Sequence, residues 1–523
     1  MAAVRRATGL AVGLIVCLAA GPPGRLTAQT IDTVVVDNRN VFDRDGDGPG
    51  FIARLANALH IRTRPSVIRN TLLVGSGDAY DSARVAESER ALRALSVFRM
   101  VRVDTGRVAG RLAVHVVTAD GWSTKPEAAY SSAGGDENWR VGLVEQNLFG
   151  TATQLSLGFQ RTPDRDVAGL FYLSPHFLAR KAALEFRHEH YSDGRRTEWH
   201  YGRPFYQTAA RHALEVEGEA ARERVLVFRA GVLDSTTQRR ALRIRLGGGY
   251  APYATARDYV RLWFAAQWRR EDFAPESTSV FPRSETAAAG AGVEIGHIRF
   301  KVLEHFNSYA RREDVDLSQV LRLGLWAAPR AWGYPGARAG IGPEVRGQVT
   351  AVWRQGFAAL RAEGHGVYTA AGLDSGVVRG SVTLASRNLP RQTLIAYLEA
   401  GAMRRSRPGR EFDLWLEDRG PRLFGAHAFT GTRLAWGAIE NRILVADDVW
   451  GLLGVGIAPF VDWGGAWYAG EPARLGGNAG VSLRLGATRS VGGESAEFAL
   501  GYRFGEGFVG RGWALAVRKG FVF

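Results

Sequence analysis

His188-Glu189-His190 puts two imidazoles on the same face of an extended chain, a spacing that can chelate a metal. No third ligand accompanies them, and by parity they share their face with Leu184 and Phe186, so they read as interfacial side chains near a strand end. Asp43-Arg44-Asp45-Gly46-Asp47-Gly48 fits the first half of a calcium loop, with carboxylates at positions one, three and five and glycine at six. Position twelve is Arg54, where a bidentate acid must complete the shell, so the segment reads as a solvated acidic turn. Gly75-Ser76-Gly77 is too short for a nucleophile elbow, and no Gly-x-x-x-x-Gly-Lys phosphate loop occurs. These residues define no catalytic set, metal site or cofactor site, and no enzyme activity is expected from them.

Cysteine chemistry is equally restricted. The single cysteine, Cys17, lies in an apolar stretch from Gly9 to Ala20, which follows Arg5 and Arg6 and precedes Pro22 and Pro23. That order reads as a secretory signal peptide over 1–28, with cleavage after Ala28. Val16 occupies the place where lipid attachment would need a small residue, so Cys17 is read as filler of the apolar region. The mature chain then has no cysteine, which excludes disulfides, zinc thiolates and cysteine nucleophiles. The formal charge of +15 could point to nucleic acid, but export argues against it and favours anionic headgroups or a positively lined lumen.

The elements that must position these residues are strands. From about Lys125 onward, Leu155, Leu157 and Phe159 alternate with Ser156, Gly158 and Gln160, and Leu242, Ile244 and Leu246 alternate with Arg243 and Arg245. Val345, Val349, Ala351 and Trp353 alternate with Glu344, Arg346, Gln348 and Thr350. No run of about 18 apolar residues follows the signal, so a membrane protein of this sequence must cross as a barrel, apolar outside and polar within. At roughly 25 residues per strand and turn, 123–523 would hold about sixteen antiparallel strands. The 14 Trp, 15 Tyr and 25 Phe can supply interfacial girdles. The chain ends in a strand in which Trp513, Leu515 and Val517 share a parity with Phe521 and Phe523, the pattern of a C-terminal barrel signal.

Residues 29–122 follow another pattern. Ile31 to Val36 is a β-branched run, and Thr63 with Pro65 can open a helix carrying Val67, Ile68, Thr71 and Leu72. Asp81 can cap a second helix, in which Val85, Leu92 and Leu95 share a face and Glu89 precedes Arg93 by four. Strands around Met100 to Asp104 and Arg111 to Thr118 complete a small α+β domain of β-α-α-β-β order.

Several segments together resemble the BamA/TamA-type outer-membrane superfamily, over essentially the whole mature chain. Thr63-Arg64-Pro65-Ser66-Val67-Ile68-Arg69 into Leu72-Leu73, then Gly77-Asp78 and Glu87-Ser88-Glu89-Arg90-Ala91-Leu92-Arg93, look like one POTRA domain. Glu145-Gln146-Asn147-Leu148-Phe149-Gly150 is similar to the family's early-strand turn. Gly420-Pro421-Arg422-Leu423-Phe424 is similar to the loop that folds back into the lumen, although Leu423 stands where glycine is usual. Phe460-Val461-Asp462-Trp463-Gly464 supplies the family's Phe-x-Asp-x-Gly aspartate.

What the resemblance implies is a single periplasmic POTRA-like domain followed by a sixteen-stranded outer-membrane barrel. Arg422 and Asp462 would pin the lumen loop with Phe424 beside them, through a charge-assisted contact of a kind that can be bidentate. A weak seam between first and last strands would insert or translocate unfolded client proteins, or lipids, with periplasmic accessory proteins and outer-membrane lipids as partners and no nucleic acid. A passive anion-favouring channel and a barrel-embedded hydrolase are the rival readings; neither needs a client-binding domain.

Overall fold

The computed structural model describes residues 29–42, 50–133, 136–229, 231–275, 284–304, 306–307, 309, 312–334, 339–387, 389–405, 408–415, 420–489, 495–505 and 511–519. The signal-peptide reading, the acidic turn at Asp43 to Gly48, and Phe521 and Phe523 lie outside these residues.

The N-terminal unit is a three-stranded sheet with helices on it. Strand β1 (Thr33–Arg39) pairs in parallel with β3 (Arg111–Asp120), and β3 pairs antiparallel with β2 (Phe98–Val108). Three helices join β1 to β2 rather than the expected two: α1 (Gly50–Leu59), α2 (Pro65–Thr71) and α3 (Ser82–Ala94). Pro65 opens α2 at its first turn, where a missing N–H costs nothing. Thr63 does not cap it; its N–H and hydroxyl donate to Asp120, at 2.6 and 3.1 Å. Asp81 caps α3 by accepting from the N–H groups of Ala83 and Arg84. Ile31, Ile68, Leu92, Val97, Val114 and Val116 are fully buried between sheet and helices.

Beyond Ser123 the chain forms a closed antiparallel barrel of twenty strands among the described residues, from Thr124–Ala133 to Gly512–Lys519. Sixteen was therefore too few. The allowance of 25 residues per strand and turn fails at the start of the barrel, where strands of eight to ten residues with short connections fit six crossings between Thr124 and Arg203.

Period-two alternation sets the two faces. In the strand Gln319–Ala328, Leu321, Leu323 and Leu325 face out at 46%, 43% and 56% exposure. Arg322 faces in, between Glu294 and Glu344 of the adjacent strands at 3.3 Å each. Large apolar side chains outside and ion pairs inside invert the soluble arrangement, as an outer-membrane barrel requires. Trp513 and Leu515 belong to the outer face, at 71% and 46% exposure, and Val517 shares their parity.

Among the described residues, two segments enter the lumen. At the end carrying the N-terminal unit, a hairpin of Phe300–Glu304 and Arg312–Asp316 projects from between two barrel strands. Phe306 at its tip is buried against Phe357 and Ile395. Tyr309 fills a slot above Gly454, Gly456 and Gly486, where an added Cβ would come within 2.1 to 2.6 Å of its side chain. From the opposite end comes the long connection after Arg404, stitched to itself by pairing of Phe412–Asp413 with Thr430–Gly431.

Candidate functional site

The site is assembled where that connection meets the barrel wall. Alternation within Arg433–Val449 turns Trp436, Ala438, Glu440 and Arg442 inward, and the same rule turns Phe460 and Asp462 inward from Leu453–Trp467. Glu497 and Ala499 enter from Ala496–Gly505, and Ala514 and Ala516 from Gly512–Lys519.

Arg422 reaches into this set with its side chain 2% exposed. Its Nη2 donates to Glu440 Oε2, its Nη1 lies 3.3 Å from Glu497 Oε1, and its Nε lies 3.5 Å from Asp462 Oδ2. Its backbone N–H donates to the same Asp462 oxygen at 3.0 Å. The guanidinium also covers the Phe460 ring, 4.3 Å from its centroid. Arg422 and Asp462 meet within a three-carboxylate cradle, in which Glu440 takes the side-chain hydrogen bond and Asp462 holds the backbone.

The cradle extends sideways. Glu440 also accepts from Arg442, and Glu497 accepts from the Ser482 hydroxyl at 2.6 Å and from Arg518 at 3.3 Å. Arg442 donates to the Phe306 carbonyl and to Asn307 Oδ1, the latter at 3.0 Å, and Arg484 donates to Ser495 at 2.9 Å. One ion network therefore touches both segments that enter the lumen.

Phe424 packs on Phe429, with ring centroids 5.3 Å apart, beside Leu414 and Trp436. Leu423 lies against Phe460, Ala499, Ala514 and Ala516 at 1% exposure. Gly501 leaves room for it, since a Cβ there would come within 2.8 Å of Leu423 Cδ1. A leucine in this position is accommodated by small residues on the last two strands.

The same connection is held at a second point. His427 Nε2 lies 2.7 Å from Asp164 Oδ2, and Nδ1 hydrogen-bonds Asp413. Burial alone would lower its pKa, but the two carboxylates outweigh burial and raise it to about 9. His427 is accordingly an imidazolium at neutral pH, with a donor for each aspartate.

A further hub lies on the wall. Arg239 binds Glu271, Glu223 and Glu219 at 2.8, 2.6 and 3.0 Å. Between it and the inserted connection is a cavity of about 600 Å³, which reaches Ala128 and Tyr130 of the first strand and Leu515 and Val517 of the last.

That first-to-last contact is the shortest ladder in the barrel among the described residues. It comprises Leu515↔Ser132, Ala516↔Ser131 and Val517↔Tyr130, whereas the first strand pairs with its other neighbour over ten positions and the last with its neighbour over eight.

The turn Glu145 to Gly150 serves as a dock for the N-terminal unit. Buried Asn147 donates to Thr63 Oγ1 at 3.0 Å and to the Ile61 carbonyl at 3.2 Å, and Gly150 O accepts from Arg64 N at 2.8 Å. Gly150 has φ of 72°, and a Cβ there would lie 2.5 Å from the Arg62 carbonyl, so glycine is required. Glu87 accepts from Thr208 N and Oγ1, and Arg93 forks onto Asp314 of the hairpin at 2.6 and 2.8 Å.

Elsewhere the histidine pair stays apart from this chemistry. His188 Nδ1 bonds Thr197 Oγ1 at 2.8 Å, outside the lumen network. Glu440, Glu497, Arg442 and His427 were not singled out from sequence. Inward parity in strands whose other face is apolar was the available signal for the first three; His427 lies in a connection without periodicity.

The sequence matches no described protein family and no curated relative. Among solved structures, the chain is similar to CdiB from Escherichia coli, with a TM-score of 0.46, 11% identity, and coverage of 95% of this chain and 92% of that one. It is similar to BamA from Haemophilus ducreyi lacking POTRA domains 1–3, with a TM-score of 0.40, 10% identity, and coverage of 94% and 84%. The alcaligin outer-membrane receptor FauA from Bordetella pertussis gives a TM-score of 0.36, 11% identity, and coverage of 79% and 78%.

Proposed function

We propose that this chain is an outer-membrane barrel that inserts or translocates client polypeptides through the seam between its first and last strands, with the N-terminal unit in the periplasm. The observation that carries this reading is the closure by three pairs among the described residues. At about 1 kcal/mol net per hydrogen bond, parting so short a ladder costs only a few kcal/mol, and a client strand can supply replacement bonds by β-augmentation. The cavity beside the seam gives an entering segment somewhere to go. Arg422 and Asp462, with Phe424, lock the inserted connection while the seam is shut. Lipid is the alternative cargo, and periplasmic accessory proteins are partners the N-terminal unit can meet.

A passive anion channel fits less well. Arg239, Arg322 and Arg422 are each paired with two or three carboxylates, which leaves little net positive charge to select an anion. Depleting the protein in its host and quantifying folded barrels and surface lipids in isolated outer membranes tests the proposal. A fall in one or many folded barrels supports it, loss of lipid alone redirects it to lipid transport, and no change alongside anion conductance by purified protein overturns it.

A further inference from the structure

Helix α1 is built inside out. Phe51, Leu55 and Leu59 recur every four residues on one stripe, and they face away from the protein at 70%, 48% and 65% exposure. The opposite face carries Asn57, whose side chain exchanges hydrogen bonds with the backbone of Phe42 at 2.9 and 3.0 Å. His60, just past the helix, binds the fully buried Asp120 at 2.9 Å. A helix on a water-soluble domain turns its large apolar residues to the core. Here Asn57 anchors it and Phe51, Leu55 and Leu59 point outward, the same inversion that governs the barrel wall.

Placement says what meets that face. The chain leaves α1 through Ile61, 56% exposed, and Arg64 Nε donates to the carbonyl of Phe149 at 3.0 Å. Phe149 is itself 65% exposed, on the turn joining Asp136–Glu145 to Gln154–Arg161. The outward residues of those two strands, Val141, Leu143 and Leu157, belong to the lipid-facing belt. A second turn at the same rim presents Leu178, 86% exposed. The segment that leaves α1 is thus bonded to the rim of the barrel, beside the turn that carries Phe149.

Charge completes the match. From Gly50 to Arg69 there is no acidic residue; Arg54 is exposed on α1 itself, and Arg62, Arg64 and Arg69 are exposed on the segment that follows it. Apolar side chains bordered by cations are what a helix lying in the interface of an anionic bilayer requires.

We propose that α1, with Ile61 and Phe149, lies on the leaflet beside the N-terminal unit, its apolar stripe in the acyl boundary and its arginines on lipid phosphates. The partner is an anionic phospholipid surface. The proposal requires the barrel to span a bilayer and is independent of whether the seam opens.

The test uses the full chain carrying Cys17→Ser, so that an introduced thiol is the only one. Leu55→Cys and, separately, Leu59→Cys are labelled with an environment-sensitive fluorophore and reconstituted in bilayers containing phosphatidylglycerol, with and without nitroxide lipids. Arg107→Cys, exposed near the end of β2, serves as the aqueous control. The expected result is blue-shifted, quenched emission at positions 55 and 59 and neither effect at 107. If one variant does not fold, as judged by heat-modifiable mobility, the other carries the same reading. Emission at 55 and 59 as water-exposed as at 107 overturns the proposal. So does a shift that appears only when a client polypeptide is added, which would make the face a protein-docking surface.

Discussion

The imidazole of His427 lies flat on the ring of Phe228, with centroids 3.6 Å apart and planes 9° from parallel. Phe228 belongs to the barrel wall and His427 to the inserted connection, so the stack and the two aspartates fasten one to the other.

This fastening depends on pH in a defined direction. The pKa of His427 is raised from 6.5 to about 9, so its contribution is complete below about pH 6.5 and is lost as pH rises through 9. The linkage is on the order of 3 kcal/mol. Protease accessibility of residues 420–429 should rise between pH 7 and 10 in the native protein, and His427→Gln should be accessible at both.

Arg422→Met should lower stability by roughly 3 to 5 kcal/mol, because Asp462, Glu440 and Glu497 stay buried after losing their shared cation. Denaturant unfolding followed by heat-modifiable mobility measures this. Adding Asp462→Asn should return part of the loss, since one of the stranded charges is removed. Equal stability of native protein and Arg422→Met would show that the cradle holds nothing in place.

Leu423→Gly, which restores the glycine usual in the resembling family, should destabilise by about 2 to 5 kcal/mol, because it opens a cavity against Ala499, Ala514 and Ala516. A gain in stability would mean that the leucine is strained.

Asp314→Ala should loosen the lumen hairpin from the N-terminal unit by removing both bonds from Arg93, leaving Arg90 over the Phe300 ring. The cost to global stability is modest, about 1 to 3 kcal/mol. Its signature is local: faster proteolysis within the hairpin and brief conductance steps in planar bilayers.

Much of the barrel was legible because period two survives any uncertainty in strand ends. Leu242, Ile244 and Leu246 face out as their alternation with Arg243 and Arg245 required. Strand number was not legible, since it depends on turn lengths, and the early hairpins are tighter than average. Helix α1 escaped notice because its apolar residues do not serve a core. Arg422, Phe424 and Asp462 were found through resemblance, yet the partner that takes Arg422's side-chain hydrogen bond, Glu440, was not. Nothing local distinguishes one inward glutamate from the many others lining the lumen.

The seam is tested most directly by closing it covalently. Tyr130 and Val517 stand opposite each other in the three-pair ladder, close enough for a disulfide between directly opposed antiparallel residues. In a chain carrying Cys17→Ser, Tyr130→Cys with Val517→Cys should assemble clients normally when reduced and lose that activity when oxidised, with recovery on reduction. Undiminished client assembly by the fully oxidised protein would contradict lateral passage and with it the proposed function.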